Sequence, residues 1–175
     1  QWIAKLGWND VHIEECSSVE SILSTLNAEY LTNGLTSMKN IPDQSIDYIF
    51  SHAVLEHIRK KDFSETFAEC YRILKPGGLC THTVDFKDHL GGSINNMRFS
   101  DNFWEADWVA NSGFYTNRIR VSEMKQLIEQ QGFNVSILEQ AAWDELPQSR
   151  DSVHKQFAEV SESDLLTYNT SFLLK

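Results

Sequence analysis

Basic residues are scarce in this chain. Its 175 residues hold 15 Lys and Arg against 25 Asp and Glu, a formal charge of −10. A domain this acidic would repel phosphate, so neither nonspecific nucleic-acid binding nor an anionic membrane is expected as a partner. The simplest use of such charge is solubility. Long apolar runs are lacking too. None approaches the roughly 20 residues that a membrane helix needs, and no signal-peptide pattern opens the chain. It begins on Gln1, as a processed or trimmed chain would. Cysteine is sparse and odd in number: Cys16, Cys70 and Cys80 lack metal-ligand spacing. Reduced, mostly buried thiols in a cytoplasmic protein are expected. No nucleophile elbow, P-loop, CxxC pair or HExxH is present, which leaves those catalytic classes without support. Internal repeats, low-complexity tracts and a second domain are likewise not seen, and residues 1–175 are read as a single domain.

What is present is concentrated between Ser45 and Val84. Ile46, Tyr48 and Phe50 belong to a run rich in β-branched and aromatic residues, which predicts a mostly buried strand. After the turn SHAVLEHI, Asp62-x-x-Glu65 offers a capping box. Phe63, Phe67, Cys70, Tyr71 and Leu74 then recur at helical spacing as one apolar stripe. Lys75-Pro76-Gly77-Gly78 should stop that helix, and Leu79 to Val84 reads as a second strand. A strand, helix, strand unit of this kind is parallel and right-handed.

Around this unit the signals are shorter. Gln1 to Trp8 fits the end of an amphipathic helix. Ser17-x-x-Glu20 predicts a capped helix, and a short strand is expected near Glu29 to Thr32. Residues 101–110 read as a helix. Ser122 should cap another that ends at Gly132. Phe133, Val135 and Ile137 alternate as a strand, Gln148 to Val160 reads as a connecting helix, and Tyr168 to Leu174 alternates as a final strand.

The run SIDYIFSHAVLEHI, the helix ending YRILKPGG and the strand after it resemble the class I S-adenosylmethionine-dependent methyltransferases, in the small-molecule type. The resemblance implies an α/β, partial Rossmann-like fold: a mostly parallel sheet with an antiparallel last strand. It makes Ile46 to His52 the family's fourth strand. The Gly-rich cofactor turn that the family carries after its first strand is not in this chain, nor are its first two strands. A further amino-terminal segment or a partner chain is therefore expected beside the fourth strand. The implied cofactor is S-adenosylmethionine and the implied partner a small-molecule substrate, methylated at oxygen or nitrogen.

In an open α/β sheet, ligands bind beyond the carboxyl ends of the strands. The resemblance puts Ser51, His52 and Ala53 beside the cofactor's adenosine. Asn33 and Thr36 could replace the acidic adenine-binding residue of relatives, whose position is occupied by Leu35. For catalysis, His57 of the LEH element could take a proton near neutrality, as an imidazole can, although it also suits capping or packing the next helix. Asp88 and His89 form an adjacent carboxylate and imidazole pair. His82 reads as a core histidine and no metal site is expected. Residues 85–120 are long for a connection and read as a substrate lid, with Gly91-Gly92 as its hinge. Within the lid, Tyr115, Arg118 and Arg98 are the substrate-binding candidates, while Trp104 and Trp108 read as core. A non-catalytic binding or scaffold module of the same fold is the alternative to an enzyme.

Overall fold

The computed structural model describes residues 12–175, so the expected helix at Gln1 to Trp8 lies outside the described residues. The chain divides into two compact units, residues 1–37 and 38–175.

In the first unit, helix α1 (Val19–Thr25) is capped by Ser18 rather than Ser17. Ser18 Oγ accepts from the Ser21 amide while Ser21 Oγ accepts from the Ser18 amide. A hydroxyl thus serves where Glu20 was expected to close the box. Glu29 to Thr32 form no strand. Strand signal without a bonding neighbour leaves these residues exposed and without regular structure. Helix α2 (Leu35–Lys39) begins here and ends in the second unit.

The second unit is built on a four-stranded sheet. Its strands are β1 (Ile46–His52), β2 (Leu74–Asp85), β3 (Val135–Ala142) and β4 (Thr167–Leu174), in the order β1-β2-β4-β3. β2 is parallel to β1, and β4 is antiparallel to both β2 and β3. Three strands thus run one way and the last runs against them, as expected. Helix α3 (Lys60–Ile73) makes the crossover between β1 and β2. It begins two residues before Asp62, with Arg59 at the cap and no side-chain cap bond. Asp62 sits instead inside the first turn, where its charge favours the positive end of the helix dipole.

The KPGG segment ends the helix as expected but does not separate it from the strand. Ile46 faces Leu74 and Tyr48 faces Leu79, so Lys75 to Gly78 form an excursion opposite the single residue Asp47. Lys75 Nζ binds both Asp47 carboxylate oxygens, at 2.7 and 2.8 Å. Gly78 is required there: a Cβ would meet Leu74 Cγ at 2.8 Å and the Asp47 carbonyl at 3.0 Å. Backbone carbonyl and packed Leu cannot both give way.

Helix α6 follows segment 85–120 as Val121–Glu129, with short helices α4 (Asp101–Trp104) and α5 (Asp107–Ala110) inside that segment. The expected helix over 101–110 is therefore broken at Glu105–Ala106. The break resets the helical phase, so Trp104 is buried while Trp108 is 66% exposed. Trp108 is not core. Arg120, not Ser122, occupies the cap of α6. Residues 148–160 form two 3-10 turns instead of a helix. Arg150 holds them by donating to the Ala158 and Val160 carbonyls.

One face of the sheet carries the core. Phe63, Phe67 and Cys70 of α3 and Met124 and Ile128 of α6 pack on Cys80, Val84, Phe172 and Leu174. The other face is less covered. Tyr48 is 51% and Phe50 73% exposed, so β1 is not the mostly buried strand that its composition suggested. It bonds β2 on one side only among the described residues, and its aromatic residues have no layer against them there.

Candidate functional site

The site forms where β1 and β2 end. Beyond His52 the chain needs a sharp turn, and Ala53 supplies it in the left-handed region at φ 52°. For a residue with a Cβ that conformation costs about 1 kcal/mol or more. The Ala53 amide stays bonded to the Thr83 carbonyl at 2.9 Å. A 3-10 turn, Leu55–His57, follows. Asn117 clamps it: Nδ2 donates to the Leu55 and Ile58 carbonyls at 2.8 Å each, and the Asn117 amide donates to the Glu56 carbonyl at 2.7 Å. Segment 85–120 thereby fixes the turn that carries Glu56 and His57.

Two histidines meet at this turn. The rings of His57 and His89 lie 5.0 Å apart, centre to centre. His57 Nδ1 lies 3.1 Å from the Tyr115 carbonyl, and His89 Nδ1 lies 3.4 Å from that of Gly113. A carbonyl can only accept, so Nδ1 carries the proton in each neutral ring. That leaves Nε2 as the basic nitrogen. Both residues are exposed.

Asp88 does not orient His89. It is 2% exposed and its carboxylate is consumed by backbone amides. Oδ1 accepts from Leu90 at 2.8 Å and Ser93 at 3.3 Å, and Oδ2 accepts from Asn96 at 3.3 Å. An acid preceding a glycine pair gathers the free amides of the turn, and that use wins over pairing with its neighbour in sequence.

Ser51 Oγ and His82 Nδ1 are 2.8 Å apart across the β1–β2 pair. Burial pushes the His82 pKa down to about 4, so the ring stays neutral inside the core. His52 and Ala53 are exposed at the end of β1. Asn33 and Thr36 belong to the first unit, where the Asn33 carbonyl accepts from the Thr36 amide at 3.1 Å.

The three lid candidates differ in kind. Arg98 is exposed. Tyr115 is buried, with its hydroxyl donating to Glu105 Oε2 at 2.9 Å. Burial, with the Glu105 charge beside it, pushes its pKa up. Arg118 is buried at φ 62° and donates to the Asn96 and Phe99 carbonyls and to the Asp101 carboxylate. These donors hold residues 96–101 in place. Arg120, at the far end of segment 85–120, bonds the carbonyls of Phe86, Asp164 and Thr167.

Glu56 is the residue that sequence reasoning passed over, although it stands beside His57 in LEH. It is 4% exposed, and its Oε2 has no partner among the described residues. Burial pushes its pKa up, against the local backbone amides and His57, which favour the charged form. No group of three or more His, Cys, Asp or Glu able to hold a metal occurs among the described residues.

Residues 10–81 match the family model described as a methyltransferase domain. That match spans less than half of the chain and makes residues 10–81 similar to methyltransferase domains. No curated protein matches the chain. Among solved structures, a SAM-dependent methyltransferase from Archaeoglobus fulgidus is 13% identical with a TM-score of 0.47, covering 85% of this chain and 67% of its own. A Haemonchus contortus phosphoethanolamine N-methyltransferase 2, in complex with S-adenosyl-L-methionine, is 18% identical with a TM-score of 0.44, covering 77% of this chain. Only 34% of that second protein is spanned. TM-scores below 0.5 say nothing of what this chain acts on.

Proposed function

We propose that the chain forms part of an enzyme that transfers methyl from S-adenosylmethionine to an oxygen or nitrogen of a small molecule. The observation that carries this is the histidine pair. His57 and His89 come from separate segments, meet at the carboxyl ends of the strands, and each has Nδ1 on a lid carbonyl. Bound S-adenosylmethionine would supply an electrophilic methyl group. The residues here would do the rest. His52 and Ala53, exposed at the end of β1, would hold the adenosine, with Ser51, paired to His82, beside them. Nε2 of His57 or His89 would receive the proton that the acceptor loses as it gains methyl. Residues 85–120 would close over the acceptor, exclude water and hold it in line.

This reading fits a chain without a helix, among its described residues, long and apolar enough to cross a membrane. It also fits three free cysteines. Burial pushes the thiols of Cys70 and Cys80 up to about 12, which keeps them inert, as suits a cytoplasmic enzyme.

Calorimetric titration with S-adenosylhomocysteine, using the longest protein that contains this chain, tests the reading. Saturable heat and a raised melting temperature are expected. Neither effect at millimolar ligand would remove the enzyme reading in favour of a non-catalytic module. Once an acceptor is in hand, one of His57→Ala and His89→Ala should lower kcat by about a hundredfold, a usual size for a lost base, with affinity for S-adenosylhomocysteine kept. Normal turnover in both variants would show that neither imidazole is the base.

A further inference from the structure

Glu56 stands apart from the bonding pattern around it. Buried carboxylate oxygens are nearly always hydrogen-bonded, and an unpaired one is costly. Glu56 Oε2 has no partner among the described residues, although Asn117 fixes the turn beneath it with three bonds. Its position is therefore not a matter of a loose loop.

Glu56 lines a cavity of about 10 Å³, room for about one water-sized group. Every other lining residue lies between Asp85 and Arg120, so the segment read as a lid forms the rest of the wall. The wall has side-chain donors, yet most are used elsewhere. Asn96 Nδ2 donates to Thr116 Oγ1 at 2.7 Å, Asn117 serves the Leu55 and Ile58 carbonyls, and Arg120 serves three carbonyls. Of the lining residues' buried side-chain atoms, Arg118 Nε is the nitrogen that has no partner at all among the described residues. The same small cavity is thus lined by one residue with an unmatched acceptor and one with an unmatched donor.

A guest that satisfies both must donate one hydrogen bond and accept another. A hydroxyl does both. An ammonium only donates, and a carboxylate only accepts. We propose that this cavity is a subsite for a single hydroxyl group, carried by the methyl acceptor and replaced by water when the site is empty. Glu56 receives the hydroxyl hydrogen and Arg118 Nε–H binds the hydroxyl oxygen. The proposal rests on the methyltransferase reading for the identity of the guest, and it narrows the acceptor to a hydroxyl-bearing small molecule.

Nuclear magnetic resonance on the intact protein tests it with methanol as the probe and methylammonium as the contrast. Methanol should shift both the Glu56 carboxyl carbon and the Arg118 Nε–H signals, and the shifts should saturate together. Methylammonium should leave Arg118 Nε–H where it is. Glu56→Gln should weaken the methanol response about tenfold, the usual size for a lost bond to a charged group, while S-adenosylhomocysteine binding stays at the wild-type level. Methanol shifts that are absent or never saturate would overturn the subsite. A methylammonium response at Glu56 stronger than that of methanol would overturn the hydroxyl assignment. Both results are read on the unaltered protein and need no variant to fold. Saturable methanol shifts without S-adenosylhomocysteine binding would keep the subsite and retire the methyltransferase reading. The reverse pattern would retire the subsite alone.

Discussion

Asn117→Ala is expected to destabilise the protein by about 3 kcal/mol, at roughly 1 kcal/mol for each buried hydrogen bond lost. Three such bonds depend on this side chain. The Leu55 and Ile58 carbonyls lose Nδ2, and the Ile119 amide loses Oδ1, which it meets at 3.1 Å. Asn117 is 1% exposed, so water cannot replace the lost bonds without opening the site. For a chain of this size that loss lowers the melting temperature by roughly 10 °C. The His57 ring should also become less firmly oriented, because the turn that carries it keeps only the residue-117 amide and its own bond to the Tyr115 carbonyl as ties to residues 85–120. Ser122→Ala is a suitable control. Ser122 is exposed and bonds only Asp164 Oδ1, and its loss should stay within about 0.5 kcal/mol. A melting temperature for Asn117→Ala within a degree of the control would show that the clamp contributes little.

Asn117 also marks where sequence reasoning stops. An isolated Asn in a long connection carries no periodicity and no motif, and its partners lie some sixty residues away. The strand–helix–strand unit was legible because burial imposes a period on each element and KPGG punctuates them. The antiparallel last strand was legible through alternation in Tyr168 to Leu174 and the resemblance around it. Local polar chemistry was harder. Asp88 and His89 are adjacent in sequence, yet the Asp88 carboxylate serves three amides of its own turn. The partner His89 does have, His57, comes from another segment, and no spacing rule would have found it. Trp108 was misread for a similar reason. The four-residue spacing from Trp104 means a shared face only while the helix is continuous, and it breaks at Glu105–Ala106.

The open side of β1 should control how this chain behaves alone. β1 bonds β2 and, among the described residues, no strand on its other side. Tyr48 and Phe50 stack with ring centres 5.9 Å apart, and Leu79, opposite Tyr48 on β2, is also exposed. An apolar strand edge of this kind pairs readily with another chain. Neighbouring backbone laid along that edge would fill that side. Phe50→Lys separates the two situations. In this chain alone it should suppress self-association in sedimentation velocity and leave the melting temperature almost unchanged, because Phe50 is 73% exposed. In a longer protein or complex that covers β1, the same substitution should cost about 3 kcal/mol, the usual loss when a large buried side chain is removed. The amides of β1 that do not bond β2 should exchange quickly in this chain and slowly in the covered form. Slow exchange at all β1 amides in this chain alone would mean that the edge is already filled, and the expectation of an added neighbour would fail.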